Sequence, residues 1–538
     1  MKKTYFFPIK PAILLSIAVS FMFFLYAPIE LYLNNKEEFW YDLYILVPIM
    51  FVVFLIFFCL NVLILTISRL INEKLYTLFL MLEFIAFICS YIQGNYLIDY
   101  LPIINGEYIN WDLYPQGRVY SAVLWAIVVV ITLVMVKLLH MEKMLKIVNG
   151  ISVCAVIFFI STLIILSVTK NGLEHSENIC ITEDKQFELS DNQNFVILLL
   201  DATDATIFSE VLHENEEKYT DIFEDFTYYD NAMGAYPATI FSVPYILSGK
   251  WFEHQMPRKD YFKEVLTGSE LFDTLENKEY DIGLYDLDMS IDEDTMGRFN
   301  NVKLFTKKVS SYVTFVRWQI LLTGMKYAPH DLKRFSFVNP YAFSSLKVAP
   351  EGSSMFTGDN LEFYNNTLNN EISIVNRKQF KFIHLNGAHP PYNLDKNMRR
   401  IENGDVYQSI EASITMVDAY LKKLKEAEIY DDTIIIVLAD HGWKCTRNPI
   451  FLVKGIEEKH NFTVSHAPIS YSDLQGAYKK LLDGSVGEDI FDWTEGDIRE
   501  RRFLSYNGDE EDTLTECIQK GVATDELEKT GRVFVEKK

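Results

Sequence analysis

The chain has 538 residues, with 50 Lys and Arg against 73 Asp and Glu, a net charge of −23, and 49% hydrophobic residues. That length exceeds one ordinary domain, and the charged residues gather after about position 170. An acidic balance with no broad basic surface excludes nucleic-acid binding. Before that point lie five apolar runs, near 11–33, 43–67, 75–98, 119–139 and 147–168. Each is long enough to cross a bilayer, which takes roughly 20 residues, and a cleaved signal peptide would explain only the first. Lys2, Lys3 and Lys10 precede the first run, Arg69 and Lys74 separate the second and third, and Lys137, Lys143 and Lys146 separate the fourth and fifth. The positive ends are expected on the cytoplasmic side. The opposite loops carry Glu37, Glu38, Asp42, Glu107 and Asp112 among the interfacial aromatics Trp40, Tyr41, Trp111 and Tyr114. Five crossings put the C-terminal part outside. Glu83, an acid within the third run, reads as a helix-packing residue of the bundle interior, with a head-group contact as the alternative.

Of the six cysteines, Cys59, Cys89 and Cys154 fall in apolar runs, leaving Cys180, Cys445 and Cys517 outside, without CxxC or Cys/His metal spacing. No disulfide framework or structural zinc site is expected. The chain divides into a five-helix transmembrane domain (1–170), a polar linker (171–191), a catalytic domain (192–482) and a C-terminal extension (483–538) that completes the sheet or covers the site. Asn194 to Leu200 is a continuous apolar run ending in Asp201, the pattern of a buried parallel strand that delivers an acid at its carboxyl end. Similar runs recur at Tyr280 to Tyr285, Phe380 to Leu385, Thr433 to Leu438 and Pro449 to Val453. Helical patterns lie between, at Ser269 to Asn277 and through Ile410, Ile414, Val417, Leu421 and Leu424. Alternating strands and helices predict an α/β domain with a mostly parallel central sheet, whose reactive residues gather beyond the strands' carboxyl ends. The acidic stretch Asp509 to Asp512 reads as a solvated loop.

Three strand ends carry the chemistry: Asp201, the His384 to His389 segment, and the pair Asp440 and His441. The last pair closes the run Ile434 to Leu438 and is followed by Gly442, which lets the backbone turn. Asp with His suits a divalent cation such as Zn²⁺ or Mn²⁺. The stretch from Met416-Val417-Asp418 through Tyr430-Asp431-Asp432-Thr433 to Asp440-His441-Gly442 resembles the helix, turn and strand that lead to the metal site of the sulfatase and alkaline phosphatase superfamily. Asp201 resembles that superfamily's first metal ligand.

Thr239, in Ala238-Thr239-Ile240-Phe241-Ser242-Val243-Pro244, stands where the nucleophile precedes Ser-Val-Pro in phosphoethanolamine transferases. Measured back from Leu247-Ser248-Gly249-Lys250, similar to a sulfatase Leu-Thr-Gly-Arg, it also takes the place of the sulfatase cysteine. A threonine cannot become formylglycine. Ser242-Val243-Pro244 satisfies half of the modified motif, but Ile246 stands where arginine is required. Coordination to a metal would favour the Thr239 alkoxide, so Thr239 is expected to share one with Asp201, Asp440 and His441. Pro237 marks the start of a helix whose amides could stabilise phosphoryl oxygens.

His384-Leu385-Asn386-Gly387-Ala388-His389-Pro390-Pro391-Tyr392 resembles the His-rich loop of phosphoethanolamine transferases and lipoteichoic acid synthases. His389 is expected to contact phosphate or protonate the leaving oxygen. His384 is a substrate contact or simply structural, and His466 and Lys444 are further expected substrate contacts, with Arg447 a second basic residue nearby. Leu385 replaces the acid of two-metal phosphodiesterases, so one metal is expected and a second is left open.

The resemblance implies a multi-pass enzyme of a bacterial cell membrane, with its catalytic domain extracytoplasmic. It would move a phosphoglycerol-type or phosphoethanolamine-type head group from a membrane phospholipid to an envelope glycan, glycolipid or teichoic-acid-like acceptor, through a phosphothreonine, as a monomer. The alternative is a hydrolase of the same superfamily, a phosphodiesterase or sulfatase acting on an envelope glycan or lipid. Asp201 stands where both transferase families usually place glutamate, and Gly442-Trp443 replaces their usual Gly-Glu. The cysteines flanking the phosphoethanolamine-transferase nucleophile are absent, with Ala235 and Tyr245 near those places, which favours the cysteine-poor surface enzymes of Gram-positive bacteria.

Overall fold

A computed structural model describes residues 8–36, 39–98, 109, 111–173, 178–338, 340–507 and 510–536. Lys2, Lys3, Glu37, Glu38, Glu107 and Asp509 lie outside them. The chain forms two compact units, one of residues 1–176 with 306–348, the other of 177–305 with 349–538.

The first unit holds four helices long and apolar enough to cross a membrane: α1 (Lys10–Asn34), α2 (Leu43–Ile71), α3 (Glu73–Tyr96) and α4 (Pro115–Thr169). At 1.5 Å per residue the 55 residues of α4 would run about 80 Å, more than twice a hydrocarbon core. The backbone breaks once, at His140, whose φ of 58° and ψ of 153° lie outside the helical region. Residues 115–139 and 141–169 are therefore separate helices, and the five apolar runs correspond to five apolar helical segments. A π-turn over Met22–Tyr26 interrupts α1 just before Pro28, which has no N–H to donate to the ladder. Glu83 of α3 accepts a hydrogen bond from the Asn61 amide of α2, the packing role expected of it.

Residues 306–348, read from sequence as part of the catalytic domain, instead pack on these helices. Their principal element is α5 (Tyr312–Tyr327). Lys307 Nζ meets Asp42 at 2.8 Å and Lys326 Nζ meets Glu30 at 2.6 Å, both pairs almost fully buried. Gln319 donates to the Tyr41 hydroxyl at 2.6 Å, and the Trp40 indole donates to the Phe343 carbonyl at 2.7 Å. Buried charges demand such pairing.

The second unit is built on a seven-stranded sheet. In chain order its strands are β1 (Asn194–Leu200), β2 (Thr227–Tyr229), β3 (Tyr280–Tyr285), β4 (Lys378–Leu385), β5 (Thr433–Leu438), β6 (Phe451–Lys454) and β7 (Thr463–Ser465). Their spatial order is β7-β2-β6-β5-β1-β4-β3, and only β6 runs against the rest. Every residue of β1 and β5 is buried, as an unbroken apolar run requires of a strand covered on both faces. Helix Val406–Glu426 packs on Ala205–Glu214, while Thr239–Ser248, Glu270–Asn277 and Leu474–Leu482 pack together. The expected strands recur within two residues, the last starting at Phe451 rather than Pro449.

The stretch read as a linker is partly folded. Ile179–Ile181 pairs antiparallel with Val302–Leu304, and Glu188–Ser190 pairs in parallel with Ser373–Val375. The C-terminal residues form a separate antiparallel sheet, β8 (Arg501–Asn507), β9 (Glu510–Gln519) and β10 (Glu528–Val535), and do not extend the central one. It abuts the backbone leading to Thr239, because Leu504 N–H donates to the Ala235 carbonyl at 3.0 Å. Arg501, 1% exposed, donates to the Asn231 carbonyl at 2.6 Å, the Ile469 carbonyl at 3.1 Å and the Gln519 amide oxygen at 2.7 Å.

Removing Arg501 orphans several buried acceptors at once, so Arg501→Met should cost about 3 kcal/mol of stability. Thermal unfolding of the solubilised chain should show this loss, whereas Arg532→Met, at a residue 73% exposed, should change little. Equal midpoints for the two variants would contradict this account.

Candidate active site

The neighbouring parallel strands β1 and β5 end at Leu200 and Leu438, and the residues just beyond them are Asp201 and the Ala439-Asp440-His441 turn. Ala202 takes a left-handed φ of 56° and points its N–H at Asp440 Oδ1, 3.2 Å away, so the two turns interlock. Asp440 is fully buried. Its Oδ2 and Asp201 Oδ1 are buried without a hydrogen-bond partner. His441 Nε2 lies 3.3 Å from the first and 3.7 Å from the second.

His441 Nδ1 is 2.9 Å from the Gly442 carbonyl, which can only accept, so Nδ1 carries a proton and Nε2 faces the carboxylates, donating to them when protonated and offering its lone pair to a cation when not. Two orphaned carboxylate oxygens and an imidazole nitrogen, mutually within 4.8 Å, match the donor set of a divalent cation. Thr239 opens helix Thr239–Ser248, and its hydroxyl is near enough to Asp440 to favour the charged form of that carboxyl.

A second cluster adjoins the first. His384, near the end of β4, has Nε2 3.9 Å from Asp201 Oδ2 and Nδ1 2.6 Å from Asp286 Oδ2. Asp286 follows β3, is fully buried, and accepts from the amides of Asp288 and Met289 at 3.0 and 2.7 Å. Asp288 reaches His384 Nδ1 at 3.5 Å while 43% exposed at the rim. His384 thus bridges Asp201 to a buried carboxylate on the next strand.

These contacts set the protonation states. Burial opposes charge on Asp201, but His384, then His441 and His389, hold its pKa down at about 2. Asp440 is raised by burial and by the facing Asp201. For His441 burial opposes the charge, yet Asp440 and Asp201 outweigh it and raise the pKa.

The loop after β4 is fixed against Asp201. Ala388 N–H donates to the Asp201 carbonyl at 2.8 Å, and Asp201 N–H donates to Leu385 at 3.0 Å. A Cβ on Gly387, whose φ is 53°, would sit 2.4 Å from the Leu200 carbonyl carbon and 2.5 Å from Asp201 N, so no other residue fits. Asn360 clamps the same glycine by both its N–H and its carbonyl, each at 2.9 Å. The loop carries His389, whose Nδ1 faces the Pro390 carbonyl at 2.8 Å.

His466 pairs instead with Asp230, at 2.8 Å and 56% exposed, and has no hydrogen bond or ion pair with the ligand cluster among the described residues. Lys444 lies over the Trp443 ring at 3.9 Å, and Trp443 donates to the Tyr392 hydroxyl at 2.8 Å. Arg447 turns away to the carbonyl of Asp525. Ser242 is fully buried and donates to the Tyr236 carbonyl at 3.1 Å, so it faces the core rather than the cluster. The sequence reading missed Asp286 and Asp288, although Tyr280 to Tyr285 ends in an acid just as Asn194 to Leu200 does.

No family model matches the sequence, and no curated protein matches it. Among solved structures the chain is similar to Ps i-CgsB in complex with k-i-k-neocarrahexaose, with 13% identity and a TM-score of 0.41 over 63% of this chain and 86% of that one. It is similar to the lipoteichoic acid synthase LtaP from Listeria monocytogenes, with 10% identity and a TM-score of 0.35 over 63% and 85% of the two chains. A protein in the alkaline phosphatase superfamily from Vibrio parahaemolyticus gives 12% identity and a TM-score of 0.33 over 66% and 81%.

Protons compete with a cation for Asp440 and His441, and both hold them above the ordinary pKa. Mn²⁺ or Zn²⁺ affinity, read by calorimetric titration, should therefore fall as pH drops from about 8 to about 5. Asp440→Asn should weaken binding by at least about 100-fold, more than a lost outer-shell partner costs. Gly387→Ala should weaken it by displacing Asp201. A pH-independent affinity, or full affinity in Asp440→Asn, would rule out this ligand set.

Proposed function

We propose that this chain is a membrane-anchored, metal-dependent phosphotransferase of the sulfatase and alkaline phosphatase superfamily. It transfers a phosphoglycerol-type or phosphoethanolamine-type head group from a membrane phospholipid to an envelope glycan, glycolipid or teichoic-acid-like acceptor. The reading is carried by two orphaned carboxylate oxygens and an imidazole nitrogen gathered at the strand ends, with the hydroxyl of the helix-opening Thr239 near enough to Asp440 to favour its charged form.

Thr239 Oγ attacks the donor phosphorus, forming a Thr–O–P bond as the bond from phosphorus to diacylglycerol oxygen breaks. Its proton has an acceptor in Asp440, and the leaving alkoxide takes a proton from His389. A Zn²⁺ or Mn²⁺ ion held by Asp201, Asp440, His441 and Thr239 would supply the positive charge that favours the Thr239 alkoxide and the charged transition state. In the second half-reaction an acceptor hydroxyl attacks the phosphorus and gives its proton to His389 as the Thr239 Oγ–P bond breaks, and Asp440 returns its proton to Thr239. In this reading amides at the start of helix Thr239–Ser248 and the His384 ring contact the phosphoryl oxygens. The buried, core-facing Ser242 weighs against a formylglycine sulfatase.

Purified protein incubated with membrane lipids and Mn²⁺ or Zn²⁺ should gain a head-group phosphate on Thr239, seen by intact mass and phosphopeptide mapping. Thr239→Ala should lack the adduct and lose at least about 1,000-fold in transfer rate, the scale of a lost nucleophile. His389→Ala should form the adduct slowly without losing metal. Metal binding with no adduct from any lipid, together with ¹⁸O from water entering a released phosphate, would replace the transferase with a hydrolase.

A further inference from the structure

Residues 306–348 differ in charge from the rest of the chain. They hold seven Lys and Arg against a single acid, Asp331, in a protein of net charge −23. They also pack on the apolar helices, and every contact described falls at the helix ends that the flanking charges assign to the outer side.

Depth can be counted along α1. The Tyr76 hydroxyl donates to the Pro8 carbonyl at 3.1 Å, which fixes the inner end. At 1.5 Å per residue from Lys10, Tyr26 and Glu30 lie about 24 and about 30 Å along, at the outer margin of a hydrocarbon core about 30 Å thick. Lys326 pairs with Glu30 at that level, and Tyr327 packs so closely on α3 that a Cβ on Gly94 would sit 2.4 Å from its ring. Lys333 closes the end of α5 by donating to the carbonyls of Met325 and Lys326 at 2.5 and 2.7 Å. Such capping is what backbone near lipid requires.

The outward side of the segment is both apolar and basic. Val313, Leu332 and Phe335 are 82%, 52% and 72% exposed. The apolar patch continues onto the exposed face of the fourth apolar helical segment. His330 N–H donates to Ser121 Oγ at 3.2 Å, Arg118 meets Asp331 at 2.7 Å, and Leu113 and Val119 are exposed alongside. Lys308, Arg317 and Arg334 are exposed on the same segment.

We propose that residues 306–348 form a lipid-binding element of the outer leaflet. Val313, Leu332 and Phe335 enter the interfacial layer, and Lys308, Arg317 and Arg334 engage the phosphates of anionic phospholipids. Apolar side chains interleaved with exposed basic ones bind a charged interface by burial and electrostatics together. The element needs no turnover at Thr239, so its test is separate from that of the transfer reaction.

The full-length chain would be placed in nanodiscs of equal parts phosphatidylcholine and phosphatidylglycerol, doped with a diazirine-bearing analogue of one lipid or the other. After irradiation, adducts are mapped by peptide mass spectrometry. Adducts on peptides spanning 308–335, heavier from phosphatidylglycerol, are expected. The Arg317→Glu/Arg334→Glu variant should lose at least about fivefold of the phosphatidylglycerol labelling there, the factor equivalent to about 1 kcal/mol for one basic residue near a membrane surface. Unchanged labelling of Leu43–Ile71 in the variant reports that the helices remain folded. Labelling confined to the apolar helices, or equal labelling by both lipids that the reversal leaves untouched, would overturn the proposal.

Discussion

Two carboxylates that cannot comfortably share a buried space lie at the ends of neighbouring parallel strands, and much of the second unit answers to that conflict. The register pairs Leu199 with Leu438, which brings the turns bearing Asp201 and Asp440 side by side. Unscreened, like charges this close and this enclosed would drive one group to take a proton. The surroundings supply counter-charge and fixed dipoles instead. His441 faces both acids, His384 leans on Asp201 with Asp286 behind it, and the Ala202 amide is bent into the left-handed region to reach Asp440. Where the compensation is incomplete, at Asp201 Oδ1 and Asp440 Oδ2, the structure is ready for a cation.

This view separates the residues that touch the reacting groups from those that hold them. Gly387 and Asn360 touch neither phosphate nor metal in the proposed reaction, but they let the His389 loop lie directly on the Asp201 backbone. The C-terminal sheet acts at longer range. Through Arg501 and Leu504 it fixes residues 231–235, the approach to Thr239. A site assembled from four strand ends and one helix start depends on such remote supports, since each element could otherwise shift independently.

The parallel sheet was legible because hydrophobic runs as clean as Asn194–Leu200 and Thr433–Leu438 have few alternatives, and the acids after them stand out. Asp286 was harder to see: Asp-Leu-Asp after Tyr285 has the composition of a solvated loop, and only the fold reveals that Asp286 is buried against His384. His466 follows a strand in the same way, but its partner, Asp230, is outside the cluster. Residues 306–348 were illegible for a different reason. Lysines and arginines interrupt their apolar positions too often for a span, and a three-to-four-residue period fits a soluble core equally well, so sequence alone does not distinguish which surface they cover.

That excursion changes what a protease can accomplish. The chain passes between the two units at residues 176–177, again at 305–306 and once more at 348–349. A single cut after the last apolar helix would sever one connection, yet the downstream fragment would retain residues 306–348, seated on the helices through Lys307–Asp42 and Lys326–Glu30. Release of the second unit, simple for a domain carried on one stalk, would here require this second hold to be undone as well.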